Sequence, residues 1–215
     1  METFIHRTFC SSSPYAVLVF AQNLSFTLTP EKLAKLFGGK SDDDEKDSKR
    51  KDQDKVTGAH TYGGHGEQMA VFASHVKVDG KSLEELGMSA ERLAEIRTVT
   101  TKGGAAIIKL RGRSSFQSPA YQAVKMIEGA MGGAEFTLPA GCYVNCDKLG
   151  YKNVMMAMPT TIDATGVHFT APEGTAEEMA GLQKSYEHLQ AMRDEIISLG
   201  IIPAVKDWAT MNPNL

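Results

Sequence analysis

Residues 136–169 read FTLPAGCYVNCDKLGYKNVMMAMPTTIDATGVHF. Four short apolar runs stand out in this stretch: Phe136–Leu138, Cys142–Val144, Val154–Met158 and Val167–Phe169. Each is too short for a helix and is bounded by turn-forming residues, so the spacing predicts short strands in an antiparallel meander. A helix follows at once. Thr175-Ala-Glu-Glu178 is a capping box, and Met179, Leu182, Tyr186, Leu189 and Ile196 set the apolar stripe of a helix near 175–199 that ends at Gly200.

Upstream, Ser118-Pro119 reads as an N-cap and first helical residue before Ala123, Val124, Ile127 and Ala130. Gly132-Gly133 closes that helix, near 118–131. From Ser89, the residues Leu93, Ile96, Thr100, Ile107 and Leu110 keep a three-to-four spacing through Gly103-Gly104, predicting one long helix near 89–111 with a bend at the glycines. Met69 to Val78 reads as extended with a turn at Asp79-Gly80, and Val56 to Tyr62 as a strand entering a glycine-rich turn. Thr29-Pro30 opens a short helix, Glu31 to Phe37, stopped by Gly38-Gly39. Residues 40–55 contain no apolar side chain and have nothing to bury, which predicts a solvated, mobile loop. The order is helix, strands, helices, antiparallel strands, helix. It predicts an α+β fold, with helices packed on a mostly antiparallel sheet. A dinucleotide-binding domain would alternate strands and helices around G-x-G-x-x-G, and this sequence contains no such motif.

The chain has 215 residues, 42% of them hydrophobic, enough for a real core and too many for wholesale disorder. Its formal charge of −3 offers no global basic field for nucleic acid or an acidic membrane. There is no apolar run of 18 residues, so no bilayer span is expected. Cys10, Cys142 and Cys146 are too few for a disulfide framework and suit a reducing compartment. Glu2 stands with His6 and Arg7 ahead of the short apolar run Tyr15–Ala21, which makes a poor secretory signal, so a cytoplasmic location is expected.

Two motifs fail on inspection. Gly80-Lys81-Ser82 ends like a phosphate loop, but His75 stands where the first glycine should be. His65-Gly66-Glu67 with Pro139, Cys142 and Cys146 is a faint likeness of a zinc deaminase. However, the cysteines are four apart on an expected strand rather than three apart at a helix start, so no metal site is expected. The strongest signal is Tyr62-Gly63-Gly64-His65-Gly66-Glu67-Gln68. A histidine flanked by glycines at a strand end lets a ligand approach closely, and an imidazole exchanges protons near neutrality.

His60-Thr-Tyr-Gly-Gly-His-Gly-Glu-Gln-Met69 resembles the catalytic-histidine segment of the lactate/malate dehydrogenase family, nearer the malate type. Lys102-Gly-Gly-Ala-Ala-Ile-Ile108 resembles its Lys-Gly-Gly-Ala helix segment. Gly112-Arg-Ser-Ser-Phe-Gln-Ser-Pro-Ala120 resembles its substrate-pocket turn, Leu138-Pro139 its strand start, and Glu177 to Ile197 its closing helix. The resemblance runs from about residue 31 to 200. It implies a C-terminal substrate and catalytic-histidine domain over residues 31–215, with the charged loop 40–55 inside it and residues 1–30 as an unassigned leader. It also implies that His65 accepts a proton when a 2-hydroxy acid, malate, loses hydride to NAD. Ser114 matches a position beside the substrate and Ser118 one near the nicotinamide.

The departures shape the expectation. The family's glycine fingerprint and ribose-binding acid have no counterpart in this sequence. Nor does the Asp-x-x-Arg before the helix that matches Glu31–Phe37, where the stretch reads Asn23-Leu-Ser-Phe-Thr-Leu-Thr-Pro30. The expectation is a malate dehydrogenase half, from a truncated gene, that binds no NAD and turns over no malate by itself. The alternative is a non-enzymatic assembly module. A separate NAD-binding half or a second copy would be the partner in either case, with no nucleic acid and no membrane.

Overall fold

Tyr62 and Phe72 meet edge to face, with ring centroids 4.8 Å apart, and this contact closes the hairpin that carries the glycine-rich turn. The computed structural model describes residues 56–114 and 116–212. The expected helix at 31–37, the charged loop 40–55 and the leader 1–30 lie outside them.

The first elements are short strands: β1 (Val56–Thr57), β2 (His60–Tyr62), β3 (Ala70–Phe72), β4 (Lys77–Val78) and β5 (Lys81–Ser82). β2 pairs with β3, and β4 lies between β1 and β5. The strand expected over 56–62 is broken because Gly58 sits at φ +71°, so close to His75 that a Cβ would stand 2.1 Å from the His75 carbonyl oxygen. The extended run expected over 69–78 is broken as well. The amides of Ala73 and Ser74 are taken by the Glu178 carboxylate at 2.6 and 2.9 Å, which removes them from any ladder.

Helix α1 (Ala90–Arg111) is capped by Ser89, whose hydroxyl accepts from the Arg92 amide, and it stops at Gly112 in the left-handed region. Its stripe buries Thr100 and Ile107, but Leu110 is exposed. Helix α2 (Gln117–Ala130) departs from expectation. Phe116, with no side-chain cap bond, occupies the N-cap, and Ser118 and Pro119 are its second and third residues. Proline is tolerated throughout a first turn, where amides have no intrahelical acceptor, so Ser-Pro does not fix the start. The rotation differs too. Val124 and Ile127 face outward, and Met126 is the buried anchor. Gly129 sets this rotation, because a Cβ there would lie 2.5 Å from the Ile162 carbonyl oxygen.

Strand β6 (Ala140–Cys146) pairs antiparallel with β7 (Tyr151–Met158), with a register shift between Val144 and Cys146. β8 (Thr160–Asp163) pairs antiparallel with β9 (Gly166–Phe169). The expected meander is therefore two hairpins, separated by Pro159, which has no amide to donate. β8 was absent from the sequence expectation, and Phe136 contributes only a single bridge, to Ile162. Helix α3 (Ala176–Ser198) carries the full capping box between Thr175 and Glu178. A 3-10 turn (Val205–Asp207) and the single turn α4 (Trp208–Met211) complete the described chain.

All strand pairs among the described residues are antiparallel, in agreement with the α+β expectation. The larger core joins Tyr62 and Phe72 of the β2–β3 hairpin, Val144, Val154, Met156 and Met158 of β6–β7, and Leu182 and Tyr186 of α3. Each such side chain contributes about 1.5–3 kcal/mol on burial. A smaller core beneath α2 joins Met126 to Phe136, Ala140 and Ile162. Among the described residues, no helix is long and apolar enough to cross a membrane.

Candidate active site

The glycine-rich turn leaves β2 at Tyr62 and is fastened on two sides. Gly63 exchanges both backbone hydrogen bonds with Ala157 of β7, at 3.0 and 2.8 Å. Its φ of +92° belongs to glycine, and a Cβ there would stand 2.3 Å from the Ser185 hydroxyl oxygen. The Gly64 amide donates to that same oxygen at 2.8 Å. Met69 N–H donates back to the Gly66 carbonyl at 3.1 Å, closing the turn before β3. His65 and Glu67 are exposed at the tip. The structure thus places His65 at a rim, on a turn held by buried partners.

The far end of the same hairpin is held by α3. Glu178 is buried, and its carboxylate accepts from Ala73 N, Ser74 N, the Ser74 hydroxyl at 2.6 Å and Thr175 N at 2.9 Å. Burial alone would raise its pKa, but those four donors more than offset this and hold it below the usual glutamate value. Arg97 of α1 reaches Glu177 at 2.6 Å and Glu178 at 3.9 Å. A cavity of about 250 Å³ opens beside this group, between Met69, Val71, Thr98, Thr101 and Gly181. With two carboxylates against one guanidinium, its wall does not suit a dicarboxylate.

Ser114 is exposed in the turn after α1, two residues beyond Gly112. The Arg113 guanidinium lies over the Phe116 ring, 4.9 Å from its centroid. Ser118 is half-buried in the first turn of α2. The hydrogen bonds that fasten the His65 turn come from β7 and α3, whereas α2 packs on β8 over the smaller core. Ser114 and Ser118 thus belong to the α1–α2 side of the domain, and the ties of the His65 turn to the β7–α3 side.

The cysteines stand apart from His65. Cys142 is buried, its sulfur 3.1 Å from the Thr160 hydroxyl. Burial pushes its thiol pKa up, with the Thr160 bond opposing. Cys146 is only half-buried, and the register shift falls just before it. Sequence reading missed Ser185 and Ala157 as supports of the His65 turn, and took Glu178 for a helix cap alone. A signal existed for two of them: Glu178, Leu182, Ser185 and Leu189 lie at i, i+4, i+7 and i+11, so two polar residues sit on an apolar face.

Residues 46–199 match the family model of the lactate/malate dehydrogenase α/β C-terminal domain. The malate dehydrogenase of Sorangium cellulosum is 32% identical over 139 residues, covering 64% of this chain and 44% of the relative. That of Geobacillus kaustophilus is 34% identical, covering 63% and 43%. Among solved structures, malate dehydrogenase from Salinibacter ruber superposes with a TM-score of 0.60 at 28% identity, covering 68% of this chain and 47% of that one. The Plasmodium falciparum enzyme in complex with NADH gives 0.60 at 26% identity, covering 67% and 49%. The chain spans less than half the length of these relatives.

Proposed function

Since the chain belongs to the lactate/malate dehydrogenase family through its α/β C-terminal domain, we propose that it supplies the substrate and proton-transfer half of an NAD-dependent, malate dehydrogenase-type oxidoreductase. His65 is the proton acceptor, Ser114 stands beside the substrate and Ser118 toward the nicotinamide. One observation carries the reading: an exposed histidine on a glycine turn whose backbone is tied to the buried Ala157 and Ser185.

Oxidation of a 2-hydroxy acid breaks an O–H and a C–H bond on adjacent atoms. The neutral imidazole of His65 uses its nitrogen lone pair to take the hydroxyl proton while the C–O bond becomes C=O, and the resulting imidazolium returns the proton in reduction. A hydride must leave the carbon in the same event, and in this family NAD receives it. The described residues do not fit that cofactor. Their strand pairs are all antiparallel, and no strand–helix–strand unit among them places a helix N-terminus at a pyrophosphate. The described residues thus contribute chiefly to the proton and the substrate, and a nucleotide-binding half is the partner the reaction calls for. A cytoplasmic setting accords with the free thiols of Cys142 and Cys146.

The test is malate-dependent NADH formation by the 215-residue chain alone, and by the chain mixed with the nucleotide-binding half of the Geobacillus kaustophilus enzyme. The chain alone is expected to be inactive, because hydride transfer needs the nicotinamide held against the substrate carbon. The mixture is expected to turn over, and His65→Asn to lower kcat by about 10²–10⁴-fold. Turnover unchanged by His65→Asn overturns the assignment. So does an inactive mixture in which saturating malate leaves the His65 ring resonances unmoved.

A further inference from the structure

We propose that Ser185, on the buried face of α3, is the positioning residue for His65. This rests on the functional reading of His65, and it adds how the imidazole is placed. A serine inside a helix usually faces water or bonds the carbonyl one turn back. Ser185 is fully buried, in a row with Leu182 and Leu189, on the face that packs against the β2–β3 hairpin. A hydroxyl taken out of water costs stability unless it is bonded, and alanine would fill the same space. Its oxygen accepts from Gly64 N–H at 2.8 Å, across 121 residues of sequence.

The fit around this bond is close. A Cβ on Gly63 would stand 2.8 Å from the Ser185 Cβ, so the turn reaches the helix only because that position is glycine, and one on Gly64 would stand 3.3 Å from Leu189, which leaves little room to spare. The positive φ of Gly63 swings the chain away from its pairing with Ala157 and turns the next amide onto α3. Among the described residues, the Gly64–Ser185 bond is the one hydrogen bond tying residues 64–68 to another element, and none holds the His65 imidazole itself. His65 is the next residue, so the place of its Cα is set one peptide beyond that bond.

Ser185→Ala, compared with Tyr186→Phe in the full chain, tests this by NMR. Tyr186→Phe removes the bond from Lys152 N–H to the adjacent hydroxyl, 3.2 Å in the wild type, without touching the turn. In Ser185→Ala, exchange of the Gly64 amide is expected to quicken by about tenfold or more. The heteronuclear NOE of residues 64–66 should fall and the His65 ring resonances should move, while Tyr186→Phe leaves all three unchanged. A wild-type Gly64 amide that exchanges as fast as that of Glu67 overturns the proposal without any variant. Equal effects of the two substitutions on His65, or none from Ser185→Ala, overturn it too. In the mixture with the nucleotide-binding half, Ser185→Ala should lower kcat by about ten- to a hundredfold with little change in KM. The NMR measurements need neither substrate nor cofactor. If they succeed while His65→Asn remains fully active, the Ser185 tie stands and the dehydrogenase reading falls.

Discussion

The hairpin that presents His65 and the corner between α1 and α2 that presents Ser114 and Ser118 are built in opposite ways. The hairpin lies in a closed core. Tyr62 and Phe72 are buried, Tyr151 stacks on Tyr186 at 4.2 Å, and α3 contributes two buried polar clamps, Glu178 and Ser185. The corner is open. Ile108, Leu110, Phe116, Tyr121, Val124 and Ile127 are all about half exposed or more, and of the last eight residues of α1 only Ile107 is buried. That is a large amount of exposed apolar surface for one corner of a small domain. The histidine is thus placed by the fold in hand. The residues proposed to meet substrate and cofactor lie where the described chain leaves its own surface uncovered.

The contrast breaks most readily at Glu178. Glu178→Gln keeps the shape but turns one acceptor oxygen into an amide that faces N–H or O–H donors it cannot satisfy. Ala73 N, Ser74 N, the Ser74 hydroxyl and Thr175 N all depend on those oxygens. Leaving buried donors unmet beside a former carboxylate costs about 3 kcal/mol, read as a lower urea midpoint. The acid limb should change as well. The folded state holds this carboxyl below the ordinary value of 4.5, so its contribution is present above that pH and is lost as pH falls through the lower folded value. Glu178→Gln should flatten that loss. An unchanged midpoint would mean that the closed half does not depend on its clamp.

His60, at the opposite end of β2 from the glycine turn, gives a smaller effect in another pH window. Its Nδ1 is buried with no partner, and burial, with the nearby His75 adding, lowers its pKa from 6.5. Above 6.5 the imidazole is neutral folded or unfolded and contributes no slope. As pH falls below 6.5 the unfolded chain takes up its proton first, so stability drops until the lower folded value is passed. Urea unfolding at pH 7.5 and at pH 5.5 should show this drop in the wild type and a smaller one in His60→Phe. An equal drop in both would locate the sensitivity elsewhere.

What could be read from sequence follows the same division. Local signals were legible: the Thr175–Glu178 box, the three-to-four apolar spacing of α1 from Ser89 and the glycine-flanked turn of His65 each depend on a few neighbouring residues. Signals that depend on a distant partner were not. β8 is a strand because Thr160–Asp163 has β9 to pair with, and α2 turns Met126 inward because Gly129 meets the Ile162 carbonyl. Apolar periodicity chose Val124 and Ile127 instead, since an exposed valine and a buried one read alike. Ser185 escaped notice because a polar residue on an apolar stripe looks like a flaw until its partner, Gly64, is known.

Val124 gives the smallest effect and the sharpest contrast with the clamps. Successive helical residues turn by 100°, so Val124 and Met126, two apart, point about 200° from one another. Met126 is 2% exposed against Phe136 and Ile162, and Val124 is 61% exposed on the open corner. Val124→Lys removes little buried area, leaves a good helix former at the position, and adds a charge where water already reaches. The expected change is within about 0.5 kcal/mol in urea unfolding of dilute chain. At higher concentration, sedimentation should show less self-association than in the wild type, because the substitution puts a charge into the apolar face. A loss of about 1 kcal/mol or more at low concentration would show that this surface is covered within the chain itself. The corner would then be closed like the hairpin, and the contrast between the two regions would disappear.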